Sequence, residues 1–125
     1  MKAILFVDDH EVLARLSCEI LEMQGYRAVP VFSGQEALAR LEQELFDVVV
    51  TDFRMEGMNG VELARKIHEK SSALPVILIT GYAAVDDPDI VACLQKDDLF
   101  PALLSKLEML GKKGSARKAK VARTA

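Results

Sequence analysis

The chain has 125 residues, half of them hydrophobic, and a formal net charge of −3. That length makes one domain with a single sound core, and that apolar content excludes a disordered body. No apolar run approaches the roughly 18 residues that a membrane-spanning helix needs, and the start, MKAILFVDDH, lacks the form of a secretory signal.

The last fifteen residues, GKKGSARKAKVARTA, carry six basic side chains and no acid; taking those six from the net −3 leaves −9 on residues 1–110. An acidic body is a poor partner for nucleic acid. The expected division is a folded domain over 1–110 and a basic, flexible segment over 111–125. Cys18 and Cys93 have no CxxC or metal spacing, so they read as small buried hydrophobes in a reducing compartment. Cytoplasmic location follows as the default.

In chain order, residues 3–7 (AILFV) form a first strand, and Asp8 and Asp9 follow at once. Residues 11–24 read as a helix with Leu13, Leu16 and Ile20 on one face, stopped by Gly25. His10, at the junction, is a polar helix-start residue on the commoner reading and a metal ligand on the rarer one. Residues 26–32 form a second strand. Ser33 and Glu36 fit a capping box that opens a helix to about residue 44, with Ala37, Leu38 and Leu41 at helical spacing. Val48, Val49 and Val50 lead into Asp52 without polar alternation, the mark of a strand buried on both faces in a parallel sheet.

Asn59 and Glu62 form a second capping pair, opening a helix to about residue 70 that buries Leu63 and Ile67. His68 on that helix reads as solvated. Residues 71–75 turn into a fourth strand over 76–79. A fifth strand fits 90–94, and a last helix fits 99–110, with Leu99, Leu103, Leu107 and Leu110 on one face. Asp98 is its expected cap and Pro101 sits in its first turn. Strands alternating with helices imply a doubly wound parallel sheet with right-handed crossovers.

Ligands in such sheets bind beyond the carboxyl ends of the strands. An Asp after a strand commonly does no more than cap a turn. Asp8, Asp9 and Asp52 differ in coming from two strands of one type. If those strands are neighbours, three carboxylates share one edge, and unit charges about 4 Å apart repel by roughly 4 kcal/mol at an effective dielectric near 20. A hard divalent cation with oxygen ligands offsets that, and Mg²⁺ suits carboxylates together with phosphate oxygens.

These residues resemble the response-regulator receiver domain of two-component signalling. The resemblance runs from Lys2 to about Leu110 and rests on Asp8–Asp9, Asp52 within DFRMEGMNG, Thr80–Gly81 and Lys96, in that order with strands between. It implies the flavodoxin-like strand order 2-1-3-4-5, which makes strands one and three neighbours. It implies phosphorylation of Asp52, Mg²⁺ held by Asp9 directly, by Asp8 through water and by the backbone carbonyl of Arg54, and contacts from Thr80 and Lys96 to the phosphoryl group. Its implied partners are a histidine kinase or histidine phosphotransfer protein and an unknown downstream protein, with no nucleic acid and no membrane.

Three departures from the family pattern stand out. Glu56 replaces the usual Pro after Asp52, and Asp97 follows Lys96 where the family has Pro. Thr80 and Lys96 are also close in sequence, so the fourth helix should be short or absent, with Pro88 interrupting VDDPD. The aromatic switch position of the family falls on Cys93. The chain therefore reads as a stand-alone, monomeric phosphoacceptor receiver with no output domain and no enzyme activity beyond its own phosphorylation and dephosphorylation. The alternatives are a pseudo-receiver interaction module and, more remotely, a Mg²⁺-dependent phosphatase.

Overall fold

The computed structural model describes residues 2–81, 84–97 and 99–124, with side chains as far as Gly111. Five strands form one parallel sheet in the order β2-β1-β3-β4-β5: β1 (Ala3–Val7), β2 (Arg27–Val31), β3 (Val48–Asp52), β4 (Val76–Thr80) and β5 (Ala92–Gln95). The helices are α1 (Glu11–Met23), α2 (Gly34–Gln43), α3 (Gly60–Lys70) and α4 (Leu99–Thr124).

The absence of polar alternation in the central strands now has its cause. Successive residues of a strand point to opposite faces, and both faces are covered. Ile4 and Phe6 of β1, Val48 and Val50 of β3, and Ile77 and Ile79 of β4 pack with α1 and α4 through Ala14, Cys18, Leu21, Leu103, Leu107 and Leu110. Leu5, Val7, Val49 and Val76 face the other way, onto Ala37 of α2 and Leu63, Ala64 and Ile67 of α3. Fully burying such a side chain is worth about 1.5–3 kcal/mol. β2 lies at the sheet edge, where Pro30 costs no central ladder bond.

The expected face of α1 is not the buried one. Leu13 and Leu16 are 49% and 50% exposed and Ile20 is half-buried, while Ala14, Cys18 and Leu21 face the sheet; Val12 beside them is 76% exposed. The helix carries two apolar stripes. The one with the smaller side chains lies against the sheet, and spacing alone did not distinguish them. Gly25, at φ 94° just past the C-cap Gln24, ends the helix as expected.

Ser33 caps α2 by accepting from the Glu36 N–H at 3.0 Å, while the Glu36 carboxylate reaches back to the Phe32 N–H at 2.6 Å, one residue short of a closed capping box. On α3 the box closes: Asn59 Oδ1 accepts from the Glu62 N–H at 2.9 Å, and Glu62 Oε1 from the Asn59 N–H at 3.0 Å.

β4 is joined to β5 without a helix among the described residues of 81–91; Tyr82 and Ala83 lie outside them. Asp87 Oδ1 accepts from the Asp89 N–H at 2.9 Å, and the Asp87 carbonyl from the Ile90 N–H at 3.0 Å, which folds the chain around Pro88. That turn delays β5, expected from residue 90, until Ala92. Cys93 is only half-buried, unlike Cys18. The Asp98 cap lies outside the described residues. The last helix does not stop at Leu110 but continues to Thr124.

Candidate functional site

β1 and β3 are hydrogen-bonded neighbours, with Val7 opposite Thr51, so Asp8 and Asp52 leave the sheet side by side. Carboxylate oxygens of Asp8, Asp9 and Asp52 all lie within 4.8 Å of one another. Asp52 is buried, Asp8 half-buried and Asp9 exposed, which gives the cluster a deep end and a solvent side. Two of the acids are oriented by backbone: Asp8 Oδ1 accepts from the His10 N–H at 3.0 Å, and Asp9 Oδ2 from the Glu56 N–H at 3.2 Å. His10 is the N-cap of α1 without a side-chain cap bond, a polar helix-start residue. Glu56 itself is exposed.

Asp52, Phe53, Arg54, Thr80, Gly81 and Lys96 line a cavity of about 290 Å³. Lys96 reaches Asp52 from beyond β5, with Nζ 3.4 Å from Oδ1 and 3.5 Å from Oδ2. Its backbone N–H donates to the Thr80 carbonyl at 3.0 Å, so the ends of β4 and β5 are tied together. Among the described residues no peptide bond is cis, and Asp97 does not displace Lys96 from the pocket. Burial pushes the Asp52 carboxyl above its ordinary range; the Lys96 charge pulls it back, and the Asp8 charge pushes it up again.

Two contributors escaped the sequence reading. Gly60 opens α3 directly beneath the site: a Cβ there would stand 2.5 Å from Leu78 Cδ1 and 2.6 Å from the Asp52 carbonyl oxygen. Its N–H donates to the Phe53 carbonyl at 2.9 Å, which closes the turn after Asp52. The available signal was a glycine at the first position after an Asn cap, where no turn demands one. The second is His68, expected in solvent but 18% exposed, with both ring nitrogens engaged. Its helix was read without the loop that packs against it.

Fold and pocket together define the flavodoxin-like receiver class, a doubly wound sheet with an acid cluster at its carboxyl edge. The chain belongs to the response regulator receiver domain family of two-component systems, whose profile matches residues 4–99. It is 39% identical over 116 residues to the response regulator receiver protein CpdR of Brucella abortus, spanning 88% of this chain and 97% of that one. It is 34% identical over 117 residues to the transcriptional regulatory protein GlrR of Escherichia coli, but that match spans only 26% of the longer protein. Among solved structures it resembles the response regulator TrrA of Thermotoga maritima in complex with Mg²⁺ and beryllofluoride (TM-score 0.81, 31% identity, 88% of this chain and 99% of that one). TrrA bound to the histidine kinase ThkA is similarly close (TM-score 0.80, 32% identity, 88% and 98%). No described helix is long and apolar enough to cross a membrane.

Proposed function

We propose that this receiver is a phosphoacceptor of a two-component phosphorelay, with Asp52 as the acceptor. The observation that carries the reading is the convergence of Asp8, Asp9, Asp52 and Lys96 on one cavity. An Asp52 carboxylate oxygen attacks phosphorus, an acyl phosphate forms, and the phosphorus–nitrogen bond of a donor phosphohistidine breaks with protonation of the leaving imidazole. Lys96 moves from the bare carboxylate to a phosphoryl oxygen as a point charge, and the buried Thr80 supplies a hydroxyl donor. Gly81 lets the group approach the backbone.

The all-oxygen donor set fits a hard divalent cation. Asp9 and Asp52 would hold Mg²⁺ directly, Asp8 through water, and Arg54 through its carbonyl; when bound, the ion neutralises charge on the transferred group. TrrA, solved with Mg²⁺ and beryllofluoride, supports the assignment.

The donor is a histidine kinase or a histidine phosphotransfer protein, a reading supported by the TrrA–ThkA complex. Val12, Leu13 and Leu16 expose an apolar face on α1 immediately after the acid pair, a surface suited to seat the donor. Output passes to a further protein. The receiver proper is residues 1–110, acting as a monomer in the cytoplasm without separate enzyme activity, and 111–125 is an appended basic segment. The test is incubation with Mg²⁺ and acetyl phosphate: an intact-mass gain of one phosphoryl group, lost in Asp52→Asn, supports the reading, and no gain leaves a pseudo-receiver.

A further inference from the structure

The loop between β4 and β5 is fastened to its surroundings at two described points. Near its middle, the Val85 N–H points at Cys93 Sγ, 3.4 Å away on β5. Near its end, Asp89 Oδ1 lies 2.9 Å from His68 Nδ1 on α3. The other ring nitrogen, Nε2, lies 2.7 Å from the Leu74 carbonyl oxygen. A carbonyl oxygen only accepts, so Nε2 carries hydrogen. An imidazole that carries hydrogen on both nitrogens satisfies both oxygens. His68 and Asp89 are 18% and 29% exposed, so this contact is sheltered beyond the level of an ordinary surface pair.

The geometry points to the His68–Asp89 pair as a latch that holds residues 84–91, the described part of the β4–β5 loop, in the resting conformation and opposes phosphoryl capture at Asp52. Resting contacts and latch occur together here: Lys96 lies on the bare carboxylate while Asp89 is engaged by α3. Thr80 begins the loop, and its carbonyl is bonded to the Lys96 N–H. When Lys96 turns to a phosphoryl oxygen, β5 is drawn at its carboxyl end while α3 retains Asp89, just before the other end. An interaction present in one of two states biases the equilibrium toward that state, and by reciprocity its removal strengthens whatever favours the other. The latch thereby takes over part of the role that a packed crossover helix would fill, and His68 is a positioning residue that never touches the phosphoryl group.

This inference rests on the function proposed above, and one experiment separates the two. Full-length wild type, Asp89→Ala, His68→Ala, the double variant and Asp89→Asn are titrated with beryllofluoride in saturating Mg²⁺ by calorimetry. Asp89→Ala keeps the His68–Leu74 bond, so it carries the test if His68→Ala fails to fold. Each single alanine variant should bind the mimic about fivefold more tightly or better, and the double variant no tighter than either single one. Asp89→Asn, whose amide can donate to Nδ1, should stay near wild type. A merely structural histidine would lower the melting temperature and leave mimic affinity alone. Unchanged or weaker binding by folded Asp89→Ala overturns the latch while the phosphoacceptor reading stands. A wild type that does not bind the mimic overturns both.

Discussion

Lys96 Nζ lies between the two carboxylate oxygens of Asp52, 3.4 Å from one and 3.5 Å from the other, so a cation from beyond the edge strand is coupled to an acid from the centre of the sheet. The lysine side chain is 52% exposed and the aspartate 8%, which makes the pair half solvated and easily exchanged for a better anion. For Lys96→Met we expect a small stability change, about 1 kcal/mol or less, because exposed cations contribute little to folding. Phosphorylation by acetyl phosphate should slow by roughly 100–1,000-fold, the usual consequence of removing one charge-stabilising group. Rate and melting curve, measured on the same preparation, check both halves.

Asp52 also sets a pH dependence. Its folded-state pKa is raised above the ordinary 3.8 by burial, against the pull of Lys96 and with a further push from Asp8. Between the unfolded and folded values the native protein binds the extra proton, so stability falls as pH rises through that interval. Below it the penalty is absent, and above it the penalty is complete. Asp52→Asn should therefore raise the melting temperature at pH 7, by about 3–6 °C for each kcal/mol relieved. The gain should vanish below the ordinary carboxylate value, and melting curves from pH 3 to 7 read this directly.

The same repulsion predicts a response to metal. With three carboxylates inside 4.8 Å, millimolar Mg²⁺ should raise the melting temperature, since a ligand of the folded state alone stabilises by mass action. Asp9→Asn should remove most of that rise. Equal responses from wild type and variant would place the metal elsewhere.

Gly60 gives a sharper test of packing against function. A methyl group at this position meets both the Leu78 side chain and the Asp52 carbonyl inside contact distance, and the carbonyl cannot yield without moving the strand end. Gly60→Ala should cost roughly 1–3 kcal/mol by overpacking. It should also slow phosphorylation, because α3 starts from the turn that positions Asp52. A variant of wild-type stability and rate would show that the turn gives way freely.

The final helix has its described packing in its first half. Leu103, Leu107 and Leu110 are buried against the sheet and α1. Removing residues 112–125 leaves all three in place, so melting temperature and phosphorylation should stay nearly unchanged. The protein should also remain a monomer by light scattering with beryllofluoride bound, since no helix lies between β4 and β5 among the described residues to offer a pairing surface. A beryllofluoride-dependent dimer would contradict this.

The doubly wound architecture was legible because both-face burial writes uninterrupted aliphatic runs, and VVV before Asp52 and VILI before Thr80 have no other economical reading. The order of strands was not legible from patterning; it came through the resemblance, and the acid cluster with it. Residues that act locally were readable, as with Asn59 and Glu62 on α3. Those whose environment is supplied from far along the chain were not. His68 looked solvated because Asp89 lies 21 positions away. Leu13 and Leu16 looked buried because periodicity reports a stripe and not the object facing it.

The crossover from β4 to β5, without a helix among its described residues, has a consequence for how the molecule opens. β3 and β4 are buried at every position, whereas β5 has four residues, none fully buried, and lies at the sheet edge. Opening free energies follow such gradients. β5 is therefore the softer side of the site, and its amides should exchange with solvent before those of β1, β3 and β4. Signal and softness thus coincide in this domain: the strand that carries the chain to Lys96 is also the least buried of the four that flank Asp52.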